Sequence, residues 1–291
     1  MKINPEKNNR TIGMLTLTLL AIAILTTTLF SGCTQQTNQG QQIVLIGRDS
    51  TSGTRDFFWQ TVLKKENFSQ TLLEKASNGA VQQTVTQTPG AIGYVGLGYI
   101  DNSIKALTLE NITANVTNVL SKRYPLSRDL YVFTKGNATG IAKEFIIYIQ
   151  STEGQAIVQE EGFVPLTNHT PYDSSGKTLS GTITVSGSTT VLPIATKAAT
   201  NFSKIYPHVI VTVSGGGSGV GVSAVSQGTV DIGMSSRDLT SSENNLGLTR
   251  YTIAHDGIAI IVNPSNTYIN NISLAQLKAI YKGEITNWTD L

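Results

Sequence analysis

The chain has 291 residues, 40% of them hydrophobic and only 14% charged, with 27 Gly and 8 Pro, a balance that can bury a core and excludes a disordered or coiled-coil chain. The formal charge of +2 sits entirely at the start, where Lys2, Lys7 and Arg10 face Glu6 alone, leaving 18 basic residues (21 less 3) and 18 acidic ones (19 less 1) in the rest. So neutral a body excludes the basic surface that nucleic acid requires.

The first 33 residues read as a basic start, an apolar run over 12–30, and then Ser31-Gly32-Cys33. This resembles a lipoprotein export signal, in which small residues permit cleavage before a cysteine that carries the lipid. Phe30 stands where an aliphatic residue is usual, with Leu29 one earlier. The alternative is an uncleaved transmembrane helix, since a run of roughly 19 residues can span a bilayer. Either reading anchors the remainder at the outer face of the cytoplasmic membrane. Cys33 is the single cysteine, so a disulfide within the chain and a multi-cysteine metal site are both excluded. Residues 34–42 are polar without apolar periodicity and read as a flexible stalk.

From Ile43 onward short strands alternate with helices, which implies an α/β architecture. A strand at 43–46 leads through Arg48-Asp49-Ser50-Thr51-Ser52-Gly53-Thr54 into a helix reaching Lys65. Further strands are expected at 90–96 and 129–134, and helices at 141–151 and 154–161. Residues 167–180, rich in Ser, Thr, Asn, Pro and Gly, read as a linker. Beyond it, strands are expected at 182–186, 209–214, 230–234 and 257–262, and helices at 192–206 and 273–281. The portions before and after the linker, 43–166 and 181–291, are of comparable length and show no convincing repeat.

Three segments carry the chemistry, and in each a strand ends in hydroxylated or glycine residues where a helix begins. Such a helix start offers unpaired backbone N–H groups and a positive dipole end to an anion. At 48–55, Arg48 stands beside Ser52, Gly53 and Thr54; a guanidinium matches a tetrahedral oxyanion with paired N–H donors, and the hydroxyls can add more. At 186–193, Thr189 and Thr190 can join hydroxyl donors to backbone donors. At 214–221, Ser214-Gly215-Gly216-Gly217-Ser218-Gly219-Val220-Gly221 has the glycine density of an anion nest. That run fails the dinucleotide fingerprint in register and lacks the lysine of a nucleoside-triphosphate loop. Taken singly, each segment could equally be helix capping or a surface loop; together they point to an oxyanion receptor.

At this level the residues resemble the phosphate-binding protein of the phosphate ABC transporter. Eight segments carry the likeness: GRDSTSGTRDFF, SNGAVQQTVTQTPGAIGYVGLGY, YPLSRDLYVFTKG, STEGQAIVQEEGFVPL, GSTTVLPI, VTVSGGGSGVGVSAVSQGTVDIGMSSRDL, IAHDGIAIIVNPSN and LKAIYKGEITNW. The resemblance implies a two-lobed, type II periplasmic-binding-protein fold closing over one phosphate, with ABC permease subunits as onward recipients and no cofactor. It places Thr189, Thr190, Ser218, Arg48, Ser52, Gly53 and Thr54 at the phosphate. It also places Ser236 there, where some members carry an aspartate that accepts the phosphate's proton, so selectivity against sulfate is in question; Asp49 or Asp256 could approach instead. Arg237 could add positive charge or face solvent.

The order of the segments departs from the family, whose members begin with the counterpart of 181–291 and end with that of 43–166. By that correspondence 43–166 supplies mainly lobe II with a return to lobe I, and 181–291 supplies lobe I. Two accounts stand open: a circular permutation in which 167–180 joins the old ends, or a fragment of a tandem protein, completed by a swapped partner or without transport role.

Nothing reads as catalytic. His169, His208 and His255 share no metal-ligand spacing and adjoin no nucleophile elbow. A surface phosphatase, and a sensor or adhesion module for another oxyanion, remain as rivals from other classes. Eight Asn-x-Ser/Thr sequons beyond the leader, at Asn67, Asn111, Asn115, Asn137, Asn168, Asn201, Asn271 and Asn287, fit an exported surface, though chance supplies many in so Asn- and Thr-rich a chain.

Overall fold

A computed structural model describes residues 42–291. The leader, Cys33 and nearly all of the expected stalk lie outside the described residues. Gln42, expected as the last stalk residue, already pairs with Asn287 in an isolated antiparallel bridge.

The strands in chain order are β1 (Val44–Arg48), β2 (Leu73–Lys75), β3 (Ala91–Gly96), β4 (Lys105–Ala106), β5 (Thr108–Leu109), β6 (Ser127–Lys135), β7 (Gly181–Gly187), β8 (Val209–Ser214), β9 (Ile232–Ser235), β10 (Leu248–Val262) and β11 (Asn271–Ile272). The helices are α1 (Gly53–Thr61), α2 (Asn78–Gln87), α3 (Val116–Leu120), α4 (Gly140–Gln150), α5 (Thr152–Glu160), α6 (Leu192–Ile205), α7 (Ser218–Gln227) and α8 (Leu274–Lys282). Local chemistry explains their starts. Ser52 caps α1 by accepting from the Arg55 N–H, Ser77 caps α2 through Ala80, and Ser273 and Gln276 form a reciprocal capping box on α8.

Nine strands form one sheet, in the order β2-β1-β3-β10-β6-β9-β7-β8, with β4 also on β10. Its two flanks are parallel: β1 lies between β2 and β3, and β7 between β8 and β9. Between them β10 runs antiparallel to both β6 and β3, pairing with β6 over Leu248 to Gly257 and with β3 over Ile258 to Val262. A single strand thus serves both halves of the sheet.

Two large hydrophobic cores follow from this division, with a smaller cluster of Tyr131, Phe133, Val222 and Val225 beside the second. One gathers Ile46, Phe58, Tyr94 and Leu126 with Ile260 and Tyr281; the other gathers Leu130, Phe145 and Phe163 with Val185, Phe202 and Ile253. Each core defines a lobe, and each lobe takes residues from both portions of the chain. The segment from Ile258 to Trp288 packs in the first core with β1 and β3, whereas Gly181 to Ala254 belongs with the second, so 181–291 contributes to both lobes. The stretch read as a linker is seated on the second lobe. Thr152 donates to the Thr170 carbonyl, and the Tyr172 hydroxyl meets Glu144 and Tyr206 at 3.0 and 2.9 Å.

The short elements β2, β4, β5, α3 and β11 fall where no element is expected, the helix expected to reach Lys65 ends at Thr61, and two longer elements also differ from expectation. Residues 78–87 form α2, although Asn-Gly-Ala-Val-Gln-Gln-Thr-Val-Thr-Gln has a weak apolar pattern; Val81 and Val85, one turn apart, are its buried stripe. The strand expected at 257–262 extends back to Leu248, because β6 is long enough to pair with the added residues.

Candidate functional site

The site lies where three parallel strands end, which in open α/β sheets is where ligands sit. β1 delivers Arg48 and the start of α1, β7 delivers Ser188 to Thr190 ahead of α6, and β8 delivers the glycine run ahead of α7. The first belongs to one lobe and the other two to its partner lobe.

The lobes meet through these ends. Thr54 Oγ1 lies 3.2 Å from Thr190 Oγ1. The Gly219 N–H donates to the Thr51 carbonyl at 3.0 Å, and the Thr51 hydroxyl oxygen lies 2.9 Å from the Gly216 carbonyl. Gly217, with φ of +100°, needs the freedom glycine alone provides, and a Cβ there would fall 2.4 Å from Thr51 Oγ1. A Cβ on Gly53 would fall 2.3 Å from Ser218 Oγ. The Ser218 hydroxyl accepts from the Ser236 N–H at 3.0 Å and lies 3.4 Å from its side-chain oxygen. Thr54, Thr189, Thr190, Ser218 and Ser236 are all buried; seven of the eight residues expected at the ligand therefore form one closed patch, with Ser52 buried beneath as the α1 cap.

Arg48, the eighth, is 1% exposed. Its Nε and Nη2 donate to the carbonyls of Lys75 and Ala76 at 3.1 and 3.0 Å, and its backbone N–H donates to the Tyr94 hydroxyl at 3.2 Å. Tyr94 in turn stacks on Phe58 at 4.3 Å between centroids, so the first lobe's core fixes the Arg48 backbone, while the Lys75 and Ala76 carbonyls hold its guanidinium. Burial pulls the Arg48 pKa below its ordinary value, since removal from water disfavours the charged form.

Four residues outside the three helix-start motifs also converge here, of which the resemblance names Asp256 alone. Asn78, at the start of α2, donates through Nδ2 to Thr189 and Thr190 at 3.2 and 3.0 Å. The Tyr99 hydroxyl donates to the Thr189 carbonyl at 2.6 Å, and burial pushes its pKa up to about 12. Arg128 donates to Thr190 Oγ1 at 3.3 Å and to the Ser236 carbonyl at 3.1 Å. Asp256, fully buried, accepts from Arg128 Nε and Nη2 at 3.0 and 2.8 Å and from the Leu97 N–H at 2.9 Å. Burial raises its pKa against the opposing pull of Arg128. One signal for Arg128 exists in the sequence, since it falls on the inward phase of the β6 alternation, where a charge needs a partner.

Arg237 does not face solvent. It is 8% exposed and bridges the lobes, with Nε on Asp56 at 2.7 Å and Nη1 on Glu243 at 2.6 Å. Asp49 accepts from the Thr51 N–H and hydroxyl, shaping the turn before α1. His255 pairs through Nδ1 with Asp129 at 2.6 Å. Among the described residues no group of three or more His, Cys, Asp or Glu is placed to hold a metal. What the arrangement offers is a buried set of N–H and O–H donors around two guanidinium groups, shared by two lobes.

The family model described as a PBP superfamily domain matches residues 22–153 and 173–291. The chain is similar to the phosphate-binding protein PstS 2 of Streptococcus agalactiae serotype V, 33% identical over 288 residues that cover 94% of this chain and 97% of that protein. It is similar also to PstS 2 of Streptococcus pneumoniae serotype 4, 35% identical over 267 residues, 89% of this chain and 90% of that one. Among solved structures, the phosphate-binding protein of a phosphate ABC transporter from Streptococcus pneumoniae TIGR4 superposes with a TM-score of 0.69 at 35% identity, covering 86% of this chain and 99% of that one.

Proposed function

The chain belongs to the PBP superfamily and, within it, to the PstS-like phosphate-binding proteins, and from that premise we propose that it is an extracytoplasmic receptor that closes two lobes over inorganic phosphate and hands it to an ABC permease. The observation that carries this reading is the meeting of the α1 start from one lobe with the α6 and α7 starts from the other, marked by the 3.2 Å approach of Thr54 to Thr190. Donors from both lobes surround the ligand only when the lobes are shut, so binding and closure are one event. Thr189, Thr190, Ser218, Ser236, Ser52, Gly53 and Thr54 supply hydroxyl or backbone donors, and Arg48 supplies the first cation. As a substrate-binding receptor the protein releases its ligand unchanged.

We read the two portions as completing one another within one molecule, as a circular permutation of the family order would. β10, from the later portion, lies between β3 and β6 from the earlier one, and the Ile43 N–H donates to the Thr286 carbonyl at 2.8 Å. Each portion thus completes the other's lobe without a second chain. Cys33 serves as the lipid attachment point; no helix among the described residues is long and apolar enough to cross a membrane.

Calorimetric titration with inorganic phosphate should give one site per chain, and small-angle scattering should show compaction on binding. A titration without heat at millimolar phosphate, confirmed by a second binding method, refutes the receptor reading. Replacing Cys33 by Ala should release the exported protein from membranes.

A further inference from the structure

Asn78 stands at the seam between the lobes and is 0% exposed. It opens α2, directly after the Ser77 cap. The orientation of its amide is fixed by chemistry: the Gly96 N–H can only donate, and it meets Oδ1 at 3.4 Å, so Nδ2 is turned to the opposite lobe. Both Nδ2 hydrogens are engaged there, one on Thr189 Oγ1 at 3.2 Å and one on Thr190 Oγ1 at 3.0 Å.

A hydroxyl has one hydrogen to give and two lone pairs with which to accept. Thr190 Oγ1 accepts from Asn78 and also from Arg128 Nη2 at 3.3 Å, which fills both lone pairs and leaves it only its own hydrogen. Thr54 Oγ1 lies 3.2 Å away, so at that contact Thr190 donates and Thr54 accepts. The Thr54 hydrogen then has no acceptor among the described residues. The Thr189 hydroxyl, which accepts from Asn78, is left in the same condition. One such hydrogen belongs to each lobe, and both border the cleft.

We propose that Asn78 is a positioning residue that sets the direction of the hydroxyl hydrogen bonds in the cage, so that Thr54 and Thr189 meet the ligand as donors. Asn78 and Thr54 come from one lobe, Thr189 and Thr190 from the other, so the direction is imposed only on closure. In an open molecule each of these hydroxyls rotates. The proposal rests on the phosphate-receptor reading and deepens it: donors already turned toward the ion lose less freedom in binding it. A carboxylate in place of the amide would accept from both threonines and turn their hydrogens away from the cleft.

The test is a double-mutant cycle read by calorimetry of the purified protein with sodium phosphate. Asn78→Leu, close in size but without a donor, should weaken phosphate by about tenfold or more. Thr190→Val should weaken it as well, because it removes one hydroxyl and releases Thr54. In the Thr190→Val background Asn78→Leu should cost about threefold or less, since only Thr189 is left for Asn78 to orient. A side chain that merely supported the start of α2 would cost the same in both backgrounds. Asn78→Ala, which cannot overfill the site, repeats the cycle and should give the same shortfall, with melting curves of the unliganded proteins confirming that each variant is folded. Equal losses in the two backgrounds, or Asn78→Leu and Asn78→Ala proteins that bind phosphate as tightly as the wild type, overturn the inference and leave the receptor reading intact. Wild-type protein that binds no phosphate at millimolar concentration overturns the receptor reading and this inference with it.

Discussion

Gly53→Ala isolates lobe closure from everything else the site does. The added Cβ would lie 2.3 Å from Ser218 Oγ, 2.9 Å from Ser218 Cβ and 3.0 Å from Arg237 Cγ, all on the opposite lobe. Restoring an ordinary separation requires the lobes to part by about 1 Å at this point. The Thr54–Thr190 approach at 3.2 Å, the Gly219–Thr51 bond at 3.0 Å and the Asn78 bonds at 3.2 and 3.0 Å would then stretch to about 4 Å, beyond hydrogen-bonding range. At about 0.5–1.5 kcal/mol each, four such bonds total about 2–6 kcal/mol. Water refilling the gap recovers part of this, so a loss of about 2 kcal/mol, roughly 30-fold in Kd, is the expected result. The fold itself should not suffer, because Gly53 opens α1 and Ala suits a helix better than Gly does. Calorimetry with phosphate, a melting curve of the unliganded protein and small-angle scattering with and without phosphate make up the assay. A Gly53→Ala protein that binds phosphate as tightly as the wild type, with the same compaction, would refute closure across this contact.

Three further outcomes are expected. Arg48→Ala should weaken phosphate by about tenfold or more, from the loss of charge-assisted bonds of about 1.5–3 kcal/mol, and should lower the melting temperature because the Lys75 and Ala76 carbonyls lose their donors; unchanged affinity by calorimetry removes Arg48 from the cage. Asp56→Ala breaks the only inter-lobe ion pair among the described residues, that with Arg237; because Asp56 is partly exposed, a loss of about 1 kcal/mol or less in phosphate binding is expected, fading as salt is raised, and a salt-independent loss would contradict an electrostatic latch. Lys278 and Lys282 hold Glu66 down to about 2. Its contribution to stability is therefore present above the ordinary carboxylate range and lost as pH falls toward that value. Glu66→Gln should flatten the acid-side fall in urea midpoint, and an unaltered pH profile would show that these surface pairs contribute nothing.

β6 and β10 join the lobes as neighbouring strands, and the register of their pairing shifts between Thr252 and Ala254, within two residues of the His255–Asp129 pair at 2.6 Å. Irregular pairing of this kind bends a strand locally, and the two cores change over just beyond it, between Ala254 and Ile258.

Much of this protein is written in short stretches of its sequence. The strand, polar turn and helix start that precede Phe57, Leu192 and Val220 are set by neighbours a few residues apart, which is why the elements from β7 through α6 and β8 fall within a residue or two of where periodicity and capping chemistry put them. Local signals end where partners are distant in the chain. Arg128 and Asp256 are separated by 128 positions, and neither declares alone that it will neutralise the other inside the cleft; only the antiparallel pairing of β6 with β10 sets them side by side. Asn78 becomes a site residue because α2 packs behind β3 and opens toward the second lobe. Arg237, equally fit for solvent by its sequence surroundings, is buried because closure brings Asp56 to it. The chain by itself determined which residue types could hold an oxyanion, since helix starts, hydroxyls and a guanidinium are local chemistry. Which of them share one cavity, and with what charge around them, was decided by strand order, because pairing across a sheet is a property of the whole fold and of no single segment.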